Sequence, residues 1–367
     1  MIEELGFELL SELLDFSSVK VKKENKLKDY LVQYNKNGLL YILASMTMYN
    51  KFQNDNYIMD DIIRKNNKKS DIIDYIYNNR ELMIDEQLRC SSNEYFELLK
   101  KVVKNEGYFE CGYDEISVNI MALSELKGFS LMYLQELIKK EKIIIHIPSD
   151  ILSIIKSKIF SKSLCVYREN FNSVKDLLYS IIEVYGVISL KDIKELYLKQ
   201  LKNIKEKEFE DLLILSYIAL KEVVGILPFK EDDILFYSVE FEDESQIFEF
   251  YTSREGNYKI FGKNELNKIK NTTFFQNNKD YFELENYLRC NFEDIDMKLI
   301  DIMVISEYII EAQLNLSKAR INLSNILNDQ FQFVDFSEKN KIMKLIDNIR
   351  NSYPSWKLKG RIPINEK

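Results

Sequence analysis

Leu177-Leu178-Tyr179-Ser180-Ile181-Ile182-Glu183-Val184-Tyr185-Gly186-Val187-Ile188-Ser189-Leu190 carries more information about the fold than any other segment of the chain. The pairs Leu177/Leu178 and Ile181/Ile182 recur at a four-residue step, which puts both on one face of a helix. Gly186 stands where that helix would stop, a position that favours a left-handed backbone. Ser189 opens another helix, with Asp192 three residues on as a looser capping box. The same spacing occurs upstream. Leu98/Leu99 and Val102/Val103 take the same step, and Gly107 comes at the same interval before Tyr108-Phe109. A second helix is expected after each glycine.

Each copy ends in strand-like sequence. The first runs Lys142-Ile143-Ile144-Ile145-His146-Ile147 before Pro148. The second runs Ile226 to Phe229 and then Ile234 to Val239, parted by the acidic turn from Lys230 to Asp233. Helices succeeded by a small hairpin make a winged-helix-like module. Two such modules are expected, at 90–150 and 165–245. The later helix of the first is expected over Leu131 to Lys142.

On the N-terminal side, residues 2–15 read as a short amphipathic helix, and Leu27 to Asn79 as short helices split by Asn-rich breaks. Residues 1–85 are therefore expected to form a small helical unit. Beyond the second module, 255–367 reads as a helical region: Asn264 to Asn271, Lys279 to Arg289, a helical hairpin over Ile295 to Asn328, and Ser337 to Asn351. A tail carrying the single Trp, Trp356, closes it. The fold class is mainly α with minor β (α+β).

Composition agrees. The 367 residues are 46% hydrophobic and 30% charged, the balance of a globular chain rather than a disordered one. With only 10 Gly and 4 Pro, the turns of a β-sandwich are in short supply. The net charge of −8 does not advertise phosphate binding, although a local basic patch is compatible with it. No apolar run reaches the roughly 18–20 residues of a membrane helix. The acidic start of the chain is unlike a signal peptide, and the four cysteines have neither disulfide-framework nor metal-ligand spacing. A cytoplasmic protein is expected.

The tail Asn351-Ser352-Tyr353-Pro354-Ser355-Trp356-Lys357-Leu358-Lys359-Gly360-Arg361-Ile362-Pro363 resembles the closing segment of bacterial SEC-C-motif-containing proteins. Asn257-Tyr258-Lys259-Ile260-Phe261-Gly262-Lys263-Asn264-Glu265-Leu266 and the turn Tyr185 to Leu190 are similar to stretches of the same family. The resemblance covers most of residues 90–363 at low identity. It implies the layout of a helical N-terminal unit ahead of these modules, and it supplies no catalytic residue. Relatives often continue into a zinc knuckle. Here no Cys comes after Cys290, so neither a metal site nor a cofactor is expected.

No catalytic constellation stands out. His146 is the only histidine and sits in an apolar strand, so a structural role is expected and no relay can be completed. Nucleotide-binding glycine patterns and the G-x-S-x-G elbow are missing. Carboxylate pairs such as Glu206/Glu210 are inevitable among 59 acids. A non-catalytic role is expected. Module type points first to a nucleic-acid-associated protein binding DNA or RNA, with Lys100, Lys101, Lys104, Lys139, Lys140 and Lys142 as phosphate contacts. A solvated helix face would account for the same lysines. The alternative is a protein–protein adaptor, with Trp356 as a partner contact, although Trp356 would equally pin the tail to its own domain. The candidate recognition helix of the second module, from Lys205, is more acidic than basic, which weighs against phosphate there.

Overall fold

The computed structural model describes residues 20–40, 42–43, 68–112, 131–137, 142–201, 204–230, 233–270, 278–292, 295–331 and 336–363. The expected helix at 2–15 lies outside them, as do Lys139 and Lys140. The chain is mainly α with two small antiparallel sheets, and it divides into two compact units, 1–171 and 172–367. The expected segments 1–85 and 90–150 both fall in the first unit, and one apolar core runs from Leu27 to Leu164 across them.

In the first unit the order is α1 (Leu27–Leu31), a helical stretch at 36–40, α2 (Lys69–Asn78), α3 (Arg80–Cys90) and α4 (Asn93–Lys104). Next come three strands, β1 (Tyr108–Gly112), β2 (Tyr133–Leu137) and β3 (Lys142–His146), and then α5 (Ser149–Ile159). Helix α4 forms because Ser92 caps it, accepting from the Tyr95 amide at 3.0 Å. Tyr95, Leu98, Leu99, Val102 and Val103 give it one continuous buried face. It ends at Gly107, whose φ of +79° lets the Gly107 amide return to the Val102 carbonyl at 2.9 Å.

Each glycine leads into a strand, not at once into a helix. After Gly107 comes β1, which pairs with β3 from Tyr108↔His146 to Gly112↔Lys142. The segment expected as a helix over Leu131 to Lys142 is strand over Tyr133–Leu137, which is β2, and at Lys142, which begins β3. Tyr133, Leu134 and Leu137 take a helical step, but the pairing of β2 with Ile143–Ile145 and the burial of Tyr133 and Leu134 override it, a case of sheet packing prevailing over local pattern. Helix α5 begins directly after Pro148, where the sequence pattern had suggested no element.

Helix α6 (Lys162–Tyr185) has its first residues in the first unit and, from Asn172, the rest in the second. The second unit continues with β4 (Val187–Ser189), α7 (Leu190–Tyr197), α8 (Glu206–Ala219), β5 (Val224–Phe229) and β6 (Asp233–Ser238). Ser189 caps α7 as expected, accepting from the Asp192 amide at 3.0 Å. The two sheets have the same order, β1-β3-β2 and β4-β6-β5, with the last strand in the middle. The second unit runs helix–strand–helix–helix–strand–strand, the order expected of a winged-helix-like module. In the first unit residues 113–130, between β1 and β2, lie outside the described residues.

The second unit is completed by α9 (Glu244–Ser253), α10 (Lys263–Lys270), α11 (Lys279–Asn291), α12 (Met297–Ile300), α13 (Glu307–Leu314), α14 (Leu316–Gln330) and α15 (Phe336–Asn351). A π-helical turn, Asp301–Ser306, joins α12 to α13. The hairpin expected within Ile295 to Asn328 is this run turning at Asn315, whose side chain caps α14 by accepting from the Lys318 amide at 3.0 Å. Among the described residues no helix is long and apolar enough to cross a membrane.

Candidate functional site

Of the six lysines expected to contact phosphate, Lys100, Lys101, Lys104 and Lys142 are among the described residues. Lys100 is half-buried, donates to Glu97 at 2.7 Å and lies over the Phe96 ring. Lys142, on a strand rather than a helix, donates to Glu110 across the β1–β3 pairing at 2.8 Å. Lys101 and Lys104 are exposed at the end of α4. His146 is structural. Its Nε2 faces the Lys23 carbonyl at 3.1 Å, which can only accept, so Nε2 carries the proton. Nδ1 then accepts from the Tyr30 hydroxyl at 2.6 Å, and Tyr30 stacks on Tyr133 at 4.0 Å.

Trp356 is not an exposed partner contact. It is 1% exposed, stacks on Phe241, and donates from Nε1 to the Glu183 carbonyl at 2.7 Å. Its ring lies against Gly186, whose φ is +69°, so closely that a Cβ there would overlap it. The reason is burial. An indole in a half-polar tail finds its apolar partners and its one acceptor inside its own unit.

Around Trp356 the tail meets the turn after Tyr185 and the stretch around Lys259. Tyr185 donates to the Lys259 carbonyl at 2.6 Å, and the Lys259 amide donates to the Lys359 carbonyl at 3.0 Å. Arg254, 7% exposed, ties them together. Its guanidinium donates to the carbonyls of Tyr185 and Val187, each at 2.7 Å, and of Trp356 at 3.1 Å. Tyr258 and Tyr251 both donate to Asp192 nearby, at 3.3 and 2.9 Å. This knot is packing machinery, closed to solvent at its centre.

Beside it opens a cavity of about 580 Å³. Its walls come from α6 (Tyr179, Glu183), the turn after β6 (Glu240, Glu242), α13 (Glu307, Ile310, Glu311) and the tail (Tyr353). Ser306, the last residue of the π-turn, also faces it, and its hydroxyl donates to the Asp301 carbonyl at 2.7 Å. The lining is amphipathic, with Ile309, Ile310 and Leu314 against carboxylates. Among the described residues only one lysine, Lys318, joins the lining, 3.8 Å from Glu242. Glu311 accepts from the Asn322 amide group at 2.6 Å. Glu183 is different. Among the described residues its carboxylate has no hydrogen-bond or ion-pair partner, and burial, with Glu240 adding to it, pushes its pKa up to about 7. Burial likewise pushes the Tyr179 hydroxyl up to about 12, and the Tyr353 hydroxyl well above its ordinary range.

No protein family, curated protein or solved structure matches this chain.

No short-range sequence signal marks the cavity. Its carboxylates lie between Glu183 and Glu311, and only the folding of α13 against the module gathers them. Among the described residues no group of three or more His, Cys, Asp or Glu is arranged to hold a metal ion. The cavity acids are thus spread along a wall rather than converged on a point.

Proposed function

We propose that this chain is a non-catalytic protein-interaction module whose second winged-helix-like unit meets its partner through acidic rather than basic surface. The observation that carries this reading is α8, which occupies the place of a recognition helix. Its first turns hold four acids, Glu206, Glu208, Glu210 and Asp211, all exposed or half-buried, against the exposed Lys207 and the N-cap Lys205, and Lys194 of α7 pairs with Glu206 at 2.6 Å and with Glu210. The remainder of α8 is packed: Phe209, Leu212, Leu213, Leu215 and Ile218 are all buried. A helix presenting acids would repel the phosphates it must approach in a groove. The whole unit agrees in sign, with 27 basic against 33 acidic residues from Asn172 onward.

Nucleic-acid association keeps one observation in its favour, the winged-helix strand order, with Lys101 and Lys104 as its exposed cations. Fluorescence anisotropy with duplex DNA, single-stranded DNA and RNA at about 50 mM salt separates the two, because electrostatic binding is strongest there. An adaptor should give no saturable binding. A purified partner should also lose affinity for the triple variant Glu206→Ala, Glu208→Ala, Asp211→Ala. Submicromolar binding that falls steeply with salt, and weakens on K101E/K104E, would overturn the adaptor assignment.

A further inference from the structure

We propose that the cavity between α6, the turn after β6 and α13 is a binding site for an aliphatic ammonium, a protonated amine carried on a hydrocarbon chain. No residue of α8 lines this cavity, so the inference does not depend on how that helix is used.

Three properties of the cavity select this chemistry. The first is sign. Glu183, Glu240, Glu242, Glu307 and Glu311 face one lysine, and that lysine already has Glu242 beside it. The second is shape. At about 580 Å³ the space is that of a small-molecule site, and its apolar wall of Ile309, Ile310 and Leu314 offers a hydrocarbon chain surface that hydrated ions do not use. A second hollow of about 520 Å³ shares Gln246 and Leu314 with it, but its charged lining is balanced, Glu249 and Glu255 against Arg254 and Lys357, so the excess of acid belongs to the first cavity. A divalent metal needs carboxylates converging on one point, and no such group occurs among the described residues. An elongated polyamine, or a lysine side chain on a flexible segment, spaces its charges as the wall does.

The third property is the state of Glu183. It sits half-buried in the cavity wall with a carboxylate that no described residue satisfies, while its backbone carbonyl is held by the Trp356 indole at 2.7 Å. Groups desolvated in this way and left without a partner cluster at binding sites. An ammonium donating to Glu183 and Glu240 would supply both the hydrogen bond and the counter-charge. The π-turn at Asp301–Ser306, a feature common at functional sites, directs Ser306 into the same space.

The test uses the full chain, titrated with spermidine and, separately, with a short lysine-containing peptide. Binding is read by calorimetry and by the emission of Trp356, the only tryptophan, which is bonded to the Glu183 carbonyl. Magnesium chloride at matched ionic strength is the control. Saturable binding of spermidine or peptide is expected, with at least a tenfold loss in Glu183→Gln/Glu240→Gln. The urea midpoint of that double variant shows that it is folded. The tighter of the two probes identifies the source of the amine, free or partner-borne. No saturable binding of either probe would overturn the proposal. So would equal competition by magnesium, which means diffuse screening, or unchanged affinity in the double variant.

Discussion

Glu183→Gln should make the second unit more stable at alkaline pH while leaving it unchanged in acid. The carboxyl begins from 4.5 and is raised to about 7 in the folded state, chiefly by burial. A carboxyl raised on folding binds its proton more tightly in the native state than in the unfolded one. Stability therefore falls as pH climbs from about 4.5 through about 7. The full shift corresponds to about 3 kcal/mol. The side chain keeps some exposure to the cavity, so a discounted cost of about 1–2 kcal/mol between pH 5 and pH 8 is expected. The other titratable groups facing it, Glu240, Glu242, Glu307, Glu311, Lys318, Tyr179 and Tyr353, are common to both proteins and cancel in the comparison, apart from their coupling to Glu183. Urea unfolding monitored by Trp356 emission reports the second unit selectively, since that unit holds the only tryptophan. With a slope of about 2 kcal/mol per molar urea, the variant's midpoint should exceed the wild type's by about 0.5–1 M at pH 8 and converge on it near pH 5. Parallel pH profiles, or a variant less stable than wild type at pH 8, would refute the claim that Glu183 is held unpartnered and desolvated.

The packing makes two further predictions. Gly186→Ala combines a left-handed backbone with overlap onto Trp356, and should destabilise the second unit by about 3 kcal/mol in the same urea assay; Trp356→Phe in that background should recover part of the loss. In the first unit, Tyr30→Phe strands the buried Nδ1 of His146 and should lower stability by about 1–3 kcal/mol, measured by far-ultraviolet circular dichroism. Burial holds the His146 pKa below its usual 6.5, so its contribution is complete above pH 6.5 and is lost as pH falls through the folded value.

Much of the second unit was legible in the sequence because its signals are local. The glycine stop at Gly186, the cap at Ser189 and the 226–239 hairpin each need only a few residues to be read. The first unit is less legible. Tyr133–Leu137 looks helical by itself and becomes strand through Ile143–Ile145, a non-local partner. The cavity was not legible at all. Glutamates at 183, 240 and 311 carry no shared spacing, and in a chain with 59 acids their gathering along one wall is a property of tertiary structure alone. Trp356 lay between: its rarity singled it out, while its direction, inward onto Gly186, depended on a turn 170 residues earlier.

That separation has a kinetic consequence. In both sheets the middle strand is the last in sequence, so neither sheet can assemble until its closing strand arrives. In the second unit the knot then waits for the indole to reach a carbonyl 173 positions away. Contacts so distant add loop-closure entropy before they return any stabilisation, and topologies that depend on them fold slowly. The second unit should thus fold slowly, with the contact of Trp356 on Gly186 among the last to form.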